Sequence, residues 1–251
     1  MPKKIIWFAA LTVLVGFLSF EGIYHLRWVV IAAAPFARTP FTAKVNEVQY
    51  DNNGTPNADE VRTMAVASSG AQVDVLDTLD GKPVGNSTVL DLNKRTRISI
   101  DPATESITTY PLNAKTVATA KRLLVGTCSD APGAEHRSLW GQTAFKKIED
   151  QQFGTTSLHT ENWLAPALDC FPLESTVVFY RNGVRIGHKT RQVISLITGE
   201  PDSSLFVVPG GFTERSPSQV FAELSHRTGS PCPDCEKRSG VLDQAYRSHQ
   251  R

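Results

Sequence analysis

The residues of this chain whose type and spacing could do chemistry are its four cysteines, and they fall into two kinds. Cys232-Pro-Asp-Cys235 has the spacing of thiol oxidoreductases, and Glu236-Lys237-Arg238 could open a helix whose positive end lowers the first thiol's pKa. A redox pair of that type belongs between a strand and a long helix, whereas this one follows Gly229-Ser230-Pro231 in a segment rich in Gly, Pro, Arg and Gln. A local disulfide or reactive tail thiols are the expectation here, and thiol redox activity is the main enzymatic alternative. A zinc half-site is a further alternative; it would need two more ligands, and neither His226 nor His249 stands at a finger spacing. Cys128 and Cys170 are expected to pair with each other, closing a loop of about 43 residues worth roughly 4 kcal/mol in the chain-entropy model.

Other catalytic signatures are missing. There is no G-x-S-x-G elbow, no H-E-x-x-H, no P-loop and no G-x-G-x-x-G. His136, His159 and His188 each lie in a strand-like run, where a solvent-facing or core-satisfied imidazole is the default. Asp130, Glu135, Glu161 and Asp169 supply carboxylates, but spacing alone pairs none of them for acid and base work. No catalytic, cofactor-binding or metal-ligating residue is assigned, and the chain is read as a non-enzyme.

The 251 residues carry 26 Lys plus Arg against 25 Asp plus Glu, and a net charge of +1 gives no field to gather nucleic acid. Lys3 and Lys4 precede Ile5 to Phe20, sixteen residues without a charge. Sixteen helical residues rise about 24 Å against a hydrocarbon core of roughly 30 Å, so spanning requires the helix to continue toward Tyr24. Trp7 at one end and Tyr24 with Trp28 at the other are placed as interfacial aromatics. Cleavage as a signal peptide would use Ala32 and Ala34 and leave Pro35 just after the cut, a poor site, so an uncleaved anchor over residues 5–24 is favoured over secretion after cleavage. Charge bias puts the amino terminus in the cytoplasm and the main domain in the periplasm. The expected organisation is an anchor or signal segment over 1–34, a β domain over 35–228 and a flexible tail over 229–251.

From Phe41 the pattern turns to short alternating runs bounded by Gly, Pro, Asn or Asp: FTAKVNEVQY, VRTMAVAS, AQVDVLDTL, STVLDL, RTRISID and SITTY. DNNGTPN at 51–57 is read as a hairpin turn, since the acidic ligands and closing Glu of a calcium loop are missing. NAKTVATAKRLLV at 113–125 predicts a helix capped by Asn113, with Val117, Ala120 and Leu124 as its apolar stripe. A second strand block follows in SLWGQTAFKKIED, TTSLHTENWLA, STVVFYRN and VRIGHKTRQVISLI, with Asn182-Gly183 as a hairpin signal. Ser216-Pro217 predicts the start of a short second helix. The fold class is mainly β: a transmembrane helix followed by a curved antiparallel half-barrel sheet with two short helices. Alternation in VDVLDTL and TRISI leaves one apolar sheet face, expected either to form a groove or to pack shut on itself.

Two stretches carry a resemblance. Glu161-Asn162-Trp163-Leu164-Ala165-Pro166-Ala167-Leu168 and Gly199-Glu200-Pro201-Asp202-Ser203-Ser204-Leu205-Phe206-Val207-Val208-Pro209 are similar to the "E-x-W-x-(S/A)-P-x-L" strand and the "G-E-P-D-x-S-L-F-x-x-P" ending of uncharacterised exported bacterial proteins of acidobacterial type. That family resembles LolA and LppX, the outer-membrane lipoprotein carrier fold. The likeness covers residues 155–215 by motif and the first sheet block by pattern only. It implies a half-barrel closed by helices around an apolar cavity, and it transfers no catalytic residue. In this chain Trp163 is expected to pack a buried strand face, Pro166 and Pro172 to end the strand, and Leu205 to Val208 to form an apolar closing segment. The lipoprotein cysteine is absent from the apolar run, and an anchored protein cannot shuttle as a soluble carrier does.

Two functions remain at this point. One is a membrane-tethered periplasmic module holding a lipid or other apolar ligand; the other is an envelope interaction or assembly protein with no small-molecule ligand. Membrane, lipid or an envelope protein are the expected partners; nucleic acid and cofactors are not.

Overall fold

A computed structural model describes residues 36–124, 129–130, 132–220 and 222, so the apolar run, Cys128 and the Cys232–Cys235 motif lie outside the described residues. No helix among the described residues is long and apolar enough to cross a membrane.

The alternating runs become strands: β1 Phe41–Tyr50, β2 Pro56–Val66, β3 Gln72–Leu79, β4 Lys82–Pro83, β5 Ser87–Asp91, β6 Thr96–Asp101 and β7 Ser106–Pro111, then β8 His136–Leu139, β9 Gln142–Phe153, β10 Thr156–Ala165, β11 Phe171–Arg181, β12 Val184–Thr198 and β13 Thr213–Glu214. They form one 13-stranded sheet in the order β13-β7-β6-β5-β3-β2-β1-β12-β11-β10-β9-β8, with β4 paired only to β3. Every pairing is antiparallel except β13 with β7. The two blocks read from the sequence meet where β1 pairs β12, at the middle of the sheet.

Turn chemistry explains the meander. Asp80-Gly81, Trp140-Gly141 and Asn182-Gly183 all place both residues at positive φ, the geometry whose twist matches flanking strands in a two-residue hairpin. Trp140-Gly141 therefore divides SLWGQTAFKKIED into β8 and β9. In the 51–57 turn the Asp51 carboxylate accepts the amides of Asn53 and Thr55, at 2.8 Å each, so it is spent on the hairpin itself.

The sheet curls. Trp140, on the β8–β9 turn, donates its indole N–H to the Val193 carbonyl at 3.1 Å, although β12 lies three strands from β9 in the sheet order. That carbonyl sits beside a register shift where Ile194 is the extra residue of β12. The curl closes over a core of Phe41, Ala43, Val45, Val193, Leu173 and Leu168, all essentially without exposure. The side of the sheet carrying Phe41, Ala43 and Val45 is its inner face.

The expected helix is present as α1, Ala114–Leu124, with the Asn113 carboxamide accepting the Thr116 amide at 2.8 Å. Val117 and Ala118 bury against Phe36 and Leu92; the Leu124 side chain lies outside the described residues. The second helix begins at Pro217, capped by Ser216, and is described as far as residue 222. One expectation fails. Pro172 lies inside β11, near its start rather than at a strand end, opposite Leu164 at a register shift. An irregular position tolerates the missing N–H that a regular ladder would not. Pro166 does end β10, opening a short 3-10 turn.

Residues 36–39 are clamped to the domain. Asn93 accepts the Phe36 amide at 3.1 Å and donates to the Phe36 carbonyl at 3.0 Å. Asp169, held at a φ of 54°, accepts the Thr39 amide at 2.9 Å and the Arg38 guanidinium at 3.2 Å.

Candidate functional site: a cleft on the inner face

Strand register decides which side chains share a face. On β3, β5 and β6 the outward set is Val73, Val75, Val89, Ile98 and Ile100, and Leu205, Phe206, Val208 and Phe212 pack across it. This is the apolar face the sequence marks as groove or closed core. It is closed, and the Gly199–Pro209 motif is what closes it. Within that motif Asp202 caps the 3-10 turn by accepting the Ser204 amide at 2.9 Å, which holds its carboxyl below the usual range. Glu200 accepts the Ser68 amide, and Gly199, at a φ of 114°, donates to the Pro40 carbonyl at 3.0 Å. Pro201 and Pro209 bracket the segment.

The opening lies on the other side. A cleft of about 430 Å³ on the inner face is lined by Met64, Val66 and Leu90 together with Arg62, Gln72, Asp74, Thr88 and Arg97. Its apolar end adjoins the Phe41 core, and α1 covers only the strand ends at Leu90 and Leu92. The lining is therefore mixed rather than purely apolar.

The charges divide into satisfied and unsatisfied ones. Arg62 lies 2.9 Å from Glu60 and 3.2 Å from Asp74. Burial works against its charge, but the hydrogen bonds and charges of Glu60 and Asp74 prevail and hold its pKa above the ordinary arginine value. Glu47, nearly buried, pairs with Lys189 and lies 3.6 Å from Arg191. Arg191 also donates to the Met64 sulfur at 2.7 Å, while its Nε has no hydrogen-bond partner; burial lowers its pKa, against the opposing charges of Glu47 and Asp74. Gln72 Nε2 is buried and has no partner. Arg97 stands over the Tyr110 ring at 5.9 Å; burial raises the Tyr110 pKa and Arg97 opposes it.

The residues singled out from the sequence fall elsewhere. Trp163 packs against the inner core beneath Arg137, whose guanidinium lies 3.9 Å from its ring centroid, and Leu168 is a core residue. Cys170 is disulfide-bonded, and its partner lies outside the described residues, as do Cys128, Cys232 and Cys235. The histidines are dispersed. His136 meets Asp130 at 2.8 Å, and His188 stacks on Tyr50 with ring centroids 4.3 Å apart. His159 lies between Asp150 at 2.8 Å and Glu161 at 3.4 Å, with Lys146 2.7 Å from the same Glu161. Among the described residues no cluster of His, Cys, Asp and Glu is grouped to hold a metal ion.

The hydrogen bond that the His159 ring donates to Asp150, and then the one it donates to Glu161, raise the His159 pKa above the ordinary value of about 6.5 against a smaller desolvation effect. A raised folded-state pKa means these pairs contribute below the unfolded-state value, and the contribution fades as pH rises through the folded one. An NMR titration of the His159 ring is expected to show the elevated midpoint, and Asp150→Asn to bring it down; an unmoved midpoint in that variant would contradict the assignment.

The cleft residues Arg62, Gln72, Asp74 and Arg97 escape a sequence reading because each alternates with an apolar neighbour and so passes for a solvent-facing position. The signal that could find them is the number of charges on the side opposite Val73 and Ile98, once that side is known to be the inner one.

The chain matches no protein-family profile and no curated protein sequence. Among solved structures it is similar to an uncharacterized conserved protein from Thermus thermophilus, with a TM-score of 0.44 and 14% identity over 78% of this chain and 98% of that one. It is also similar to a LolA superfamily protein from Nitrosomonas europaea, with a TM-score of 0.33 and 6% identity over 73% and 97% of the two chains. A domain from Vibrio parahaemolyticus assigned to outer membrane lipoprotein sorting gives a TM-score of 0.32 and 7% identity over 66% and 89%. The lipoprotein-carrier group that the sequence resembles is thus represented among the matches, whereas nothing in them bears on the acidobacterial type. Likenesses at these scores carry no argument about function, which has to come from the cleft.

Proposed function

We propose that this chain is a membrane-anchored periplasmic binding protein whose cleft holds an amphiphile, with the acyl portion against Met64, Val66 and Leu90. A single observation carries the reading: the outer face of β3, β5 and β6 is sealed by the chain's own 205–212 segment, while the inner face of the same strands keeps an open cleft of about 430 Å³. Ligand pockets run from about 300 to 1,000 Å³ and combine an apolar lining with a few placed polar groups. The role is binding rather than catalysis, and the anchor is the run at residues 5–24.

Native mass spectrometry of the full chain purified from detergent is expected to show a bound lipid. Leu90→Trp, which puts an indole into the cleft, is expected to lose it. Lipid-free wild type, or an equal lipid load in the variant, would sink the reading. An intact amino-terminal peptide in the mature protein checks the anchor; a chain beginning after residue 34 would replace it with secretion. One observation favours the second reading, an envelope assembly protein: Phe153 and Val184, 59% and 66% exposed, sit on hairpin tips joined by the Asn182 amide to the Thr155 carbonyl. Lipid-free wild type is the outcome that reading requires.

A further inference from the structure

Register sets Gln72, Leu90 and Arg97 side by side across β3, β5 and β6, at the end of the cleft. Leu90 therefore stands between two polar residues that both belong to the cleft lining. Gln72 Nε2 is buried and lacks a hydrogen-bond partner, a state that a buried donor holds only at a free-energy cost. Arg97 has no carboxylate within ion-pair distance among the described residues, in contrast to Arg62, which Glu60 and Asp74 both engage. Asp74 is committed to Arg62, so it is not free to neutralise Arg97. The lining thus carries two arginines and one aspartate, an excess of one positive charge beside an unused amide donor and the Thr88 hydroxyl.

We infer that the cleft selects amphiphiles bearing an anionic head group, a carboxylate or phosphate ester, seated between Arg97 and Gln72 with its alkyl chain running past Leu90 toward Met64 and Val66. This rests on the binding reading above and narrows it to a substrate class. The guanidinium presents its planar fork to two oxygens of the anion, and the Gln72 amide donates to a third oxygen of a phosphate ester or to a remaining lone pair of a carboxylate oxygen. A hydroxyl head offers a single uncharged acceptor that cannot engage the guanidinium fork and the Gln72 amide together, and a cationic head meets Arg97 with like charge.

The test is calorimetric titration of the lipid-stripped full chain in detergent with dodecyl phosphate, dodecanoate, dodecanol and inorganic phosphate as probes, with a thermal melt of each variant to establish folding. Dodecyl phosphate and dodecanoate are expected to bind at least about tenfold more tightly than dodecanol. R97Q is expected to bring dodecyl phosphate down to the dodecanol level, and Gln72→Leu to reduce it several-fold. Equal affinity for dodecanol and dodecyl phosphate, or an undiminished preference in R97Q, overturns the head-group assignment and leaves the amphiphile reading standing. Inorganic phosphate bound as tightly as dodecyl phosphate makes the site one for a free anion and overturns the amphiphile class. If none of the alkyl probes binds, the binding reading falls with it.

Discussion

Truncating Phe41 to alanine is expected to destabilise the domain by about 3–5 kcal/mol, the range for deleting a fully buried aromatic side chain. Phe41 has no exposed surface, and its ring lies 4.7 Å from that of Phe171 at an interplanar angle of 52°. It also begins β1, the strand that joins the two halves of the sheet through β2 and β12. The cavity would therefore open at the junction rather than at an edge that can collapse. For a chain of this size that loss corresponds to a fall in Tm of roughly 6 to 20 °C. Thermal unfolding by circular dichroism checks it; a loss under about 1 kcal/mol would show that the inner core relaxes around the deletion.

Replacing Glu47 by alanine is expected to cost a comparable amount for an electrostatic reason. Glu47 is 9% exposed and holds Lys189 and Arg191 from one position on β1. Removing one member of a buried ion pair strands the other, typically at about 3–5 kcal/mol, whereas an exposed pair is worth at most about 1 kcal/mol. Arg191 is the group left stranded, because its guanidinium lies over Phe171 at 5.2 Å and already has a depressed pKa from burial. The double variant E47A/R191L removes the orphaned charge and should recover much of the loss. Urea unfolding of wild type, single and double variants separates the cases; a single variant no worse than an exposed pair, or a double variant no better than the single, would contradict the buried-pair account.

How far the chain explains itself differs between its elements. Period-two runs such as VDVLD and TRISI specify strands directly, because alternate residues must face opposite sides. The hairpins are legible where Asn-Gly or Asp-Asn-Asn-Gly supplies left-handed residues, and the helix where Asn113 precedes an apolar stripe. Trp140-Gly141 hides a turn inside an apparent single run, since tryptophan is not a residue expected at positive φ. What alternation cannot assign is the fate of each face. Val73 and Phe206 are far apart in the chain, and only the three-dimensional return of the 203–212 segment makes the apolar side a closed core. Alternation alone consequently leaves open whether the apolar side is a groove or a closed core. The motifs at 161–168 and 199–209 stand out by composition and are architectural, one packing the inner core and the other sealing the outer face. The residues that line the opening carry no motif at all.

The grip of Asn93 and Asp169 on residues 36–39 ties the entering segment to both halves of the sheet, Asn93 lying after β5 and Asp169 just before β11. The sheet is thereby bolted at one end to its own entering segment, through contacts from two separate turns. Gln72, Leu90 and Arg97 belong to that bolted end, in the register rows nearest Phe41. An amphiphile held in that row would therefore lie beside the point where the described chain enters the sheet.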